Sequence, residues 1–193
     1  MRTATSGCPI PHCPTDALRE KKDTRLFFAL WPEPDLRERL QAAAETVLLP
    51  PGARRVPQPN LHLTLHFIGN VYYGEMDCLR QQAREVDAVA FSLQVDTQGC
   101  FRQARVGWLG LSHPPAALHD LHRLLGEQLL PCDYRPEQRA YNPHVTVARK
   151  LTRLDHPPAF TPIDWRVESF ALIEVLPAEN GVQYRVVETY PLS

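Results

Sequence analysis

The chain has 193 residues, 44% hydrophobic and 22% charged, with 21 Lys and Arg against 22 Asp and Glu for a net charge of −1. That length supports one domain or two closely joined lobes, and the composition is that of an ordinary globular protein. No apolar run approaches the roughly 20 residues of a membrane span, the polar N-terminus lacks a signal-peptide core, and the balanced charge excludes a global basic field for nucleic acid.

Residues 1–24 lack periodicity and are expected to form a flexible extension, leaving 25–193 as a single bilobal domain. The run "RLFFALW" (25–31) predicts a buried strand. Pro32 and Pro34 open a helix through Leu36, Leu40, Ala43, Ala44 and Val47, which Pro50-Pro51-Gly52 ends. "PNLHLTLHFIGN" alternates with the period of a half-buried strand, predicting Leu61, Leu63, Leu65 and Phe67 on one face and His62, Thr64 and His66 on the other. A helix over about 75–88 follows, then strands at about 90–97 and 105–111. A second long helix runs from Pro114-Pro115 to Pro131. "YNPHVTVARK" is another alternating strand, with Val145 and Val147 inward and His144 and Thr146 outward; "ESFALIEVL" and "VQYRVVETY" then form a hairpin around "PAENG". Each half thus holds a strand, a long helix and a motif strand, an internal repeat. The predicted class is α+β: two similar lobes, each an antiparallel-rich sheet with helices outside, whose motif strands face a shared central cleft.

The pattern His-apolar-Thr-apolar occurs at 62–65 and again at 144–147. One such set is an ordinary solvated strand face. Two arise by chance in roughly one chain in a few thousand of this composition. Imidazole gives or takes a proton near neutrality, so two facing each other work as base and acid on opposite sides of one centre. Neighbouring hydroxyls can hold an anion between them, and phosphate fits. Neither motif contains Asp or Glu, so a carboxylate-oriented triad and a binuclear metal site both lack their residues.

Other clusters carry less. Cys8, His12 and Cys13 number too few for a zinc site. The five cysteines, which include Cys78, Cys100 and Cys132, are odd in number and scattered, which predicts reduced thiols and a cytoplasmic setting. His119 and His122 are expected on a solvated helix face, and His66 as a bystander or rim contact on the face of His62. Arg54-Arg55, Arg102, Arg105 and Arg149-Lys150 are the local cations available to RNA. Phe27, Phe28, Tyr141 and Trp108 are candidates for base stacking, with core packing the expected fate of most of them.

Together "RLFFAL", "NLHLTLHFIGN", "GCFRQARVGWLGL" and "RAYNPHVTVARK" resemble the two-histidine phosphoesterases, specifically the bacterial RNA 2′,3′-cyclic phosphodiesterases, or 2′-5′ RNA ligase-like proteins. The resemblance implies metal-independent hydrolysis of a 2′,3′-cyclic phosphate RNA end to a 2′-phosphomonoester, with reverse 2′-5′ ligation as a related reaction. It casts His62 as proton donor and His144 as proton acceptor, with Thr64, Thr146 and Arg149 binding substrate. It implies no cofactor or metal, no membrane and a monomer whose partner is an RNA end. The motifs alone leave the acid and base roles unassigned. Two rivals remain open: an enzyme for small cyclic nucleotides, and a module that binds RNA phosphate ends without turnover.

Overall fold

The computed structural model of the chain describes residues 24–154, 159–179 and 181–193. Apart from Thr24, which opens the first strand, the expected extension lies outside them, as do Cys8, His12 and Cys13. The apolar run forms β1 (Thr24–Leu30), and Pro34, whose missing N–H is no loss in a first turn, opens α1 (Pro34–Glu45). A short β2 (Arg54–Arg55) precedes β3 (Leu63–Val71), which carries the first motif. Next, α2 (Tyr73–Arg84) starts ahead of expectation because the Glu75 carboxylate accepts the Tyr72 N–H at 2.7 Å. It stops early because the following segment pairs with the C-terminus: Ala90 N–H donates to Ser193 O and Ser193 N–H to Ala88 O.

β4 (Phe91–Val95), β5 (Thr97–Phe101) and β6 (Val106–Gly110) follow, then α3 (Ala116–Gln128) and the second motif strand, β7 (His144–Arg149). β8 (Ile163–Val167), β9 (Ser169–Ala178) and β10 (Gly181–Pro191) complete the order. Neither β5 nor β8 is among the expected strands. Gly99 interrupts apolar alternation in β5, yet a Cβ there would sit 2.3 Å from the Trp108 ring. Glycine lets that indole lie across its partner strand.

The class is α+β. An eight-stranded sheet runs β10-β9-β1-β3-β7-β6-β5 with β2 on β7, and β4 and β8 form a separate ribbon. The expected repeat is visible as β1-α1-β3 and β6-α3-β7, each motif strand antiparallel to the strand before its helix. The two motif strands lie side by side at the centre of one sheet rather than on separate sheets. A single ladder pair, Leu63 with Val145, joins them.

One face of the sheet meets the three helices and the ribbon. Phe28, Leu30, Leu63, Val145 and Leu172 pack there against Leu40, Leu79, Leu121, Leu125 and Trp165. A smaller cluster of Phe27, Ala29, Ala171 and Ile173 lies on the other face, with Trp31 and Tyr184 against it. Among the described residues no helix is long and apolar enough to cross a membrane.

Each motif strand carries one bulge within reach of its motif, and β3 shifts register against β1 a second time further on, at Ile68. β1 pairs Ala29 with Thr64 and Phe28 with His66, leaving Leu65 as an extra, bulged residue. β6 pairs Trp108 with Thr146 and Gly107 with Ala148, leaving Val147 extra. Each bulge stands three positions after its histidine. The bulged residue and its successor both turn to the core: Leu65 and His66 are 4% and 3% exposed, Val147 and Ala148 both 0%. The next residue, Phe67 or Arg149, emerges on the outer side and is exposed.

This corrects the expected faces. Phe67 leaves the leucines and lies on the face of Phe27, at 6.2 Å between rings. His66 leaves the face of His62 and becomes a buried structural group rather than a rim contact. Its Nδ1 pairs with the Tyr134 hydroxyl at 3.0 Å and its Nε2 with His122 O at 2.7 Å. His122 is not on a solvated face either. It stacks between His66 and Tyr141, at 4.1 and 3.9 Å, while His119 is exposed.

The cysteines are a further correction. Cys78 on α2 and Cys132, just past α3, form a disulfide with Cα atoms 5.7 Å apart, while Cys100 is free. The two lie 54 positions apart, and only the packing of α2 on the turn after α3 brings them together.

His66→Ala leaves the Tyr134 hydroxyl and the His122 carbonyl without their partner. It should destabilise the fold by about 2–3 kcal/mol, read as a lowered urea midpoint.

Candidate active site

His62 and His144 are positioned by one local device. In each motif an asparagine stands two residues ahead, and its backbone carbonyl meets the ring: His62 Nδ1 to Asn60 O at 2.7 Å, His144 Nδ1 to Asn142 O at 2.8 Å. A carbonyl only accepts, so Nδ1 carries the proton in both neutral rings. Each Nε2 is thereby left with its lone pair. His62 Nε2 lies 3.0 Å from Thr64 Oγ1, whose hydroxyl donates to it. Asn60 is itself anchored, its Nδ2 donating to Val182 O at 2.8 Å. The asparagine two places before each histidine was a legible signal, in "PNLH" and "YNPH".

Because Leu63 and Val145 both point into the core at 0% exposure, their neighbours point out together. Counting from that pair, His62 falls beside Thr146 and Thr64 beside His144, so the motifs interlock head to tail. All four expected polar groups share one face. The bulge after Thr146 adds Arg149, whose positive charge acts on His62.

Aromatic rings enclose the histidines. Phe27, Tyr184 and Trp31 lie 4.7, 5.3 and 5.9 Å from the His62 ring, and Phe101 lies 5.0 Å from His144. Among the stacking candidates, Phe28 is core, Tyr141 stacks on His122, and Trp108 reaches the site through Phe101. Within the basic patch, Arg54 is paired with Arg149 across the β2–β7 ladder, whereas Arg55 turns away to bond Ala44 O and Val47 O.

Burial drives His62 from 6.5 down to about 4, and the charges of Arg149, His144 and Arg37 add to this against the Asn60 carbonyl. His144 is lowered in the same way, by burial and then by Arg139, against the Asn142 carbonyl. At neutral pH the free site therefore holds two neutral imidazoles beside an arginine, a setting that favours an anion. Among the described residues, no group of three or more His, Cys, Asp or Glu is arranged to hold a metal ion.

Paired His-x-Thr strands at the centre of an antiparallel sheet define the two-histidine class. The chain belongs to the 2′-5′ RNA ligase superfamily, whose family model matches residues 32–177. It is 29% identical over 170 residues to the RNA 2′,3′-cyclic phosphodiesterase of Escherichia coli (strain K12), covering 88% of this chain and 97% of that one. A namesake from Thermus thermophilus is 28% identical over 185 residues, covering 87% and 90%. A crystal structure of E. coli LigT complexed with 3′-AMP superposes with a TM-score of 0.82 at 28% identity, over 89% of this chain and 99% of that one. Another, described only as a phosphoesterase, gives 0.83 at 29% over 89% and 99%.

The depressed histidines make the fold acid-sensitive. Between pH 6.5 and about 4 the unfolded chain binds a proton that folded His62 refuses, so stability held above pH 6.5 is lost as pH falls toward 4. Urea midpoints should fall across that window, and His62→Gln should flatten part of the slope.

Proposed function

We propose that this chain is an RNA 2′,3′-cyclic phosphodiesterase that opens the cyclic phosphate to a 2′-phosphomonoester by paired-histidine acid–base catalysis. The observation that carries the reading is the shared device at the two histidines: each Nδ1 is tied to a carbonyl two residues back, leaving each Nε2 with its lone pair on one face, that of His62 met by the Thr64 hydroxyl. Relatives that cover most of the chain bear that activity in their names.

In this mechanism His144 Nε2 accepts a proton from the water that attacks phosphorus. His62, protonated at Nε2, gives its proton to the departing 3′-oxygen as the P–O3′ bond breaks. Thr64, Thr146 and Arg149 hold the non-bridging oxygens, Arg149 through charge-assisted hydrogen bonds. Phosphate charge is met by arginine and hydroxyls, so no metal step is required and activity should survive dialysis against EDTA. Both histidines come from one chain, so a monomer contains the whole site. In 2′-5′ ligation a 5′-hydroxyl would take the place of water: the P–O5′ bond forms, the same P–O3′ bond breaks, and the two protons move between the same histidines and oxygens.

The test is incubation with a short RNA ending in a 2′,3′-cyclic phosphate, followed by product analysis. A 2′-phosphomonoester is expected. Loss of the cyclic end without dependence on His62 and His144, or no turnover at all, overturns the reading. His62→Ala and His144→Ala should each lower turnover by at least ~10², and Thr64→Ala and Thr146→Ala by less, because only imidazole moves protons.

The pH profile of kcat/KM should be bell-shaped, with its maximum on the acid side of 6.5. That parameter reports the free protein, where burial lowers both histidines. The profile of kcat reports the complex, where an anionic phosphodiester between the rings favours imidazolium, so its bell should lie at higher pH. Coincident profiles would show that the substrate charge does not meet the histidines.

A further inference from the structure

The catalytic face depends on two strands that share a single ladder pair, Leu63 with Val145. That contact fixes one point. It does not fix the angle between the strands, on which the separation of the two Nε2 atoms depends. A second tie exists. Tyr141, three residues before His144, donates its hydroxyl to the backbone carbonyl of Thr64 at 3.0 Å. Thr64 is the residue whose side chain meets His62 Nε2, and it borders the Leu65 bulge, where the ladder with β1 is interrupted. A bulge disrupts the regular ladder bonds around it, and here the phenol supplies a donor to the carbonyl beside it.

The Tyr141 ring is fixed from behind. His122 lies nearly parallel to it, 3.9 Å away at 16°, and His119 meets it edge-on at 6.0 Å. His122 in turn stacks on His66, whose ring is held by the Tyr134 hydroxyl and the His122 carbonyl. An unbroken row of packed rings therefore runs from β3 through α3 to the loop entering β7. Burial raises the phenol far above its usual range, so it remains a hydrogen donor through neutral pH.

We propose that Tyr141 is a positioning residue for the phosphodiesterase reaction, its hydroxyl bracing the Thr64 backbone so that His62 and His144 stand at the spacing the transfer of two protons requires. This rests on the phosphodiesterase reading. The phenol touches no substrate. It acts on His62 through Thr64 and on His144 through the turn at 142–144.

The test is Tyr141→Phe in the full chain, which keeps the ring stack and removes only the hydroxyl. With an RNA ending in a 2′,3′-cyclic phosphate, kcat should fall roughly 10-fold while KM stays within twofold, since a misplacement below 1 Å penalises the transition state rather than binding. In nitrogen-detected NMR the imidazole signals of both His62 and His144 should shift, while those of exposed His113 stay in place. Unchanged kcat with unmoved imidazole signals overturns the proposal. So does a rise in KM at constant kcat, which would make Tyr141 a binding group. If the wild-type chain fails to turn over the RNA, the phosphodiesterase reading falls on its own. The NMR comparison then still decides whether Tyr141 braces both histidines.

Discussion

A strand returns to the same face every second residue, yet each motif strand turns out a residue at an odd distance from its histidine, Phe67 in the first and Arg149 in the second. Arg149 stands five places beyond His144, where strict alternation would bury it among Val145 and Val147. The bulge at Val147 resolves the conflict by spending one extra residue on the core side. Its counterpart at Leu65 does the same in the first half, bringing out Phe67 and sending His66 inward. The site face and the histidine–tyrosine stack behind it are thus two results of one backbone irregularity used twice.

The electrostatics follow from that placement. Collecting two imidazoles and an arginine on one partly covered face puts like charges near each other, and burial raises the penalty for protonating either imidazole. The aromatic rings of Phe27, Trp31 and Tyr184 shield His62 from water on several sides, whereas His144 meets Phe101. Burial lowers both histidines, while different cations add to it, Arg149 and Arg37 at His62 and Arg139 at His144.

Much of this was legible in the chain itself. The repeated His-x-Thr, the period of the motif strands and the strand–helix–motif strand order all rest on local patterning, and local patterning survives into the fold. What failed were features fixed by partners distant in sequence. A bulge is a mismatch between two strands, so nothing in "HLTLHF" alone announces that Leu65 will be the extra residue. β5 exists because Gly99 makes room for Trp108, nine residues on, and α2 ends where the C-terminus pairs with residues 88–90. The Cys78–Cys132 bridge spans 54 positions and depends on helix packing. Arg149 stood among the local cations, but its place beside the histidines came only through family resemblance, because alternation alone assigns it to the wrong face.

Once formed, that bridge also alters the unfolded chain. His62 and His144 are 82 positions apart (144 minus 62), but Cys78 follows the first by 16 and Cys132 precedes the second by 12. Through the sulfurs, the contour between the motifs is therefore about 30 residues long. Loop entropy grows with the logarithm of length, so the shortcut lowers the entropic cost of bringing the motif strands together by about 1 kcal/mol. The β4-to-α3 segment becomes a closed ring hung beside the path rather than a part of it. In topological terms, the two halves of the site are near neighbours along the oxidised chain, and only the reduced chain has to find them across its full length.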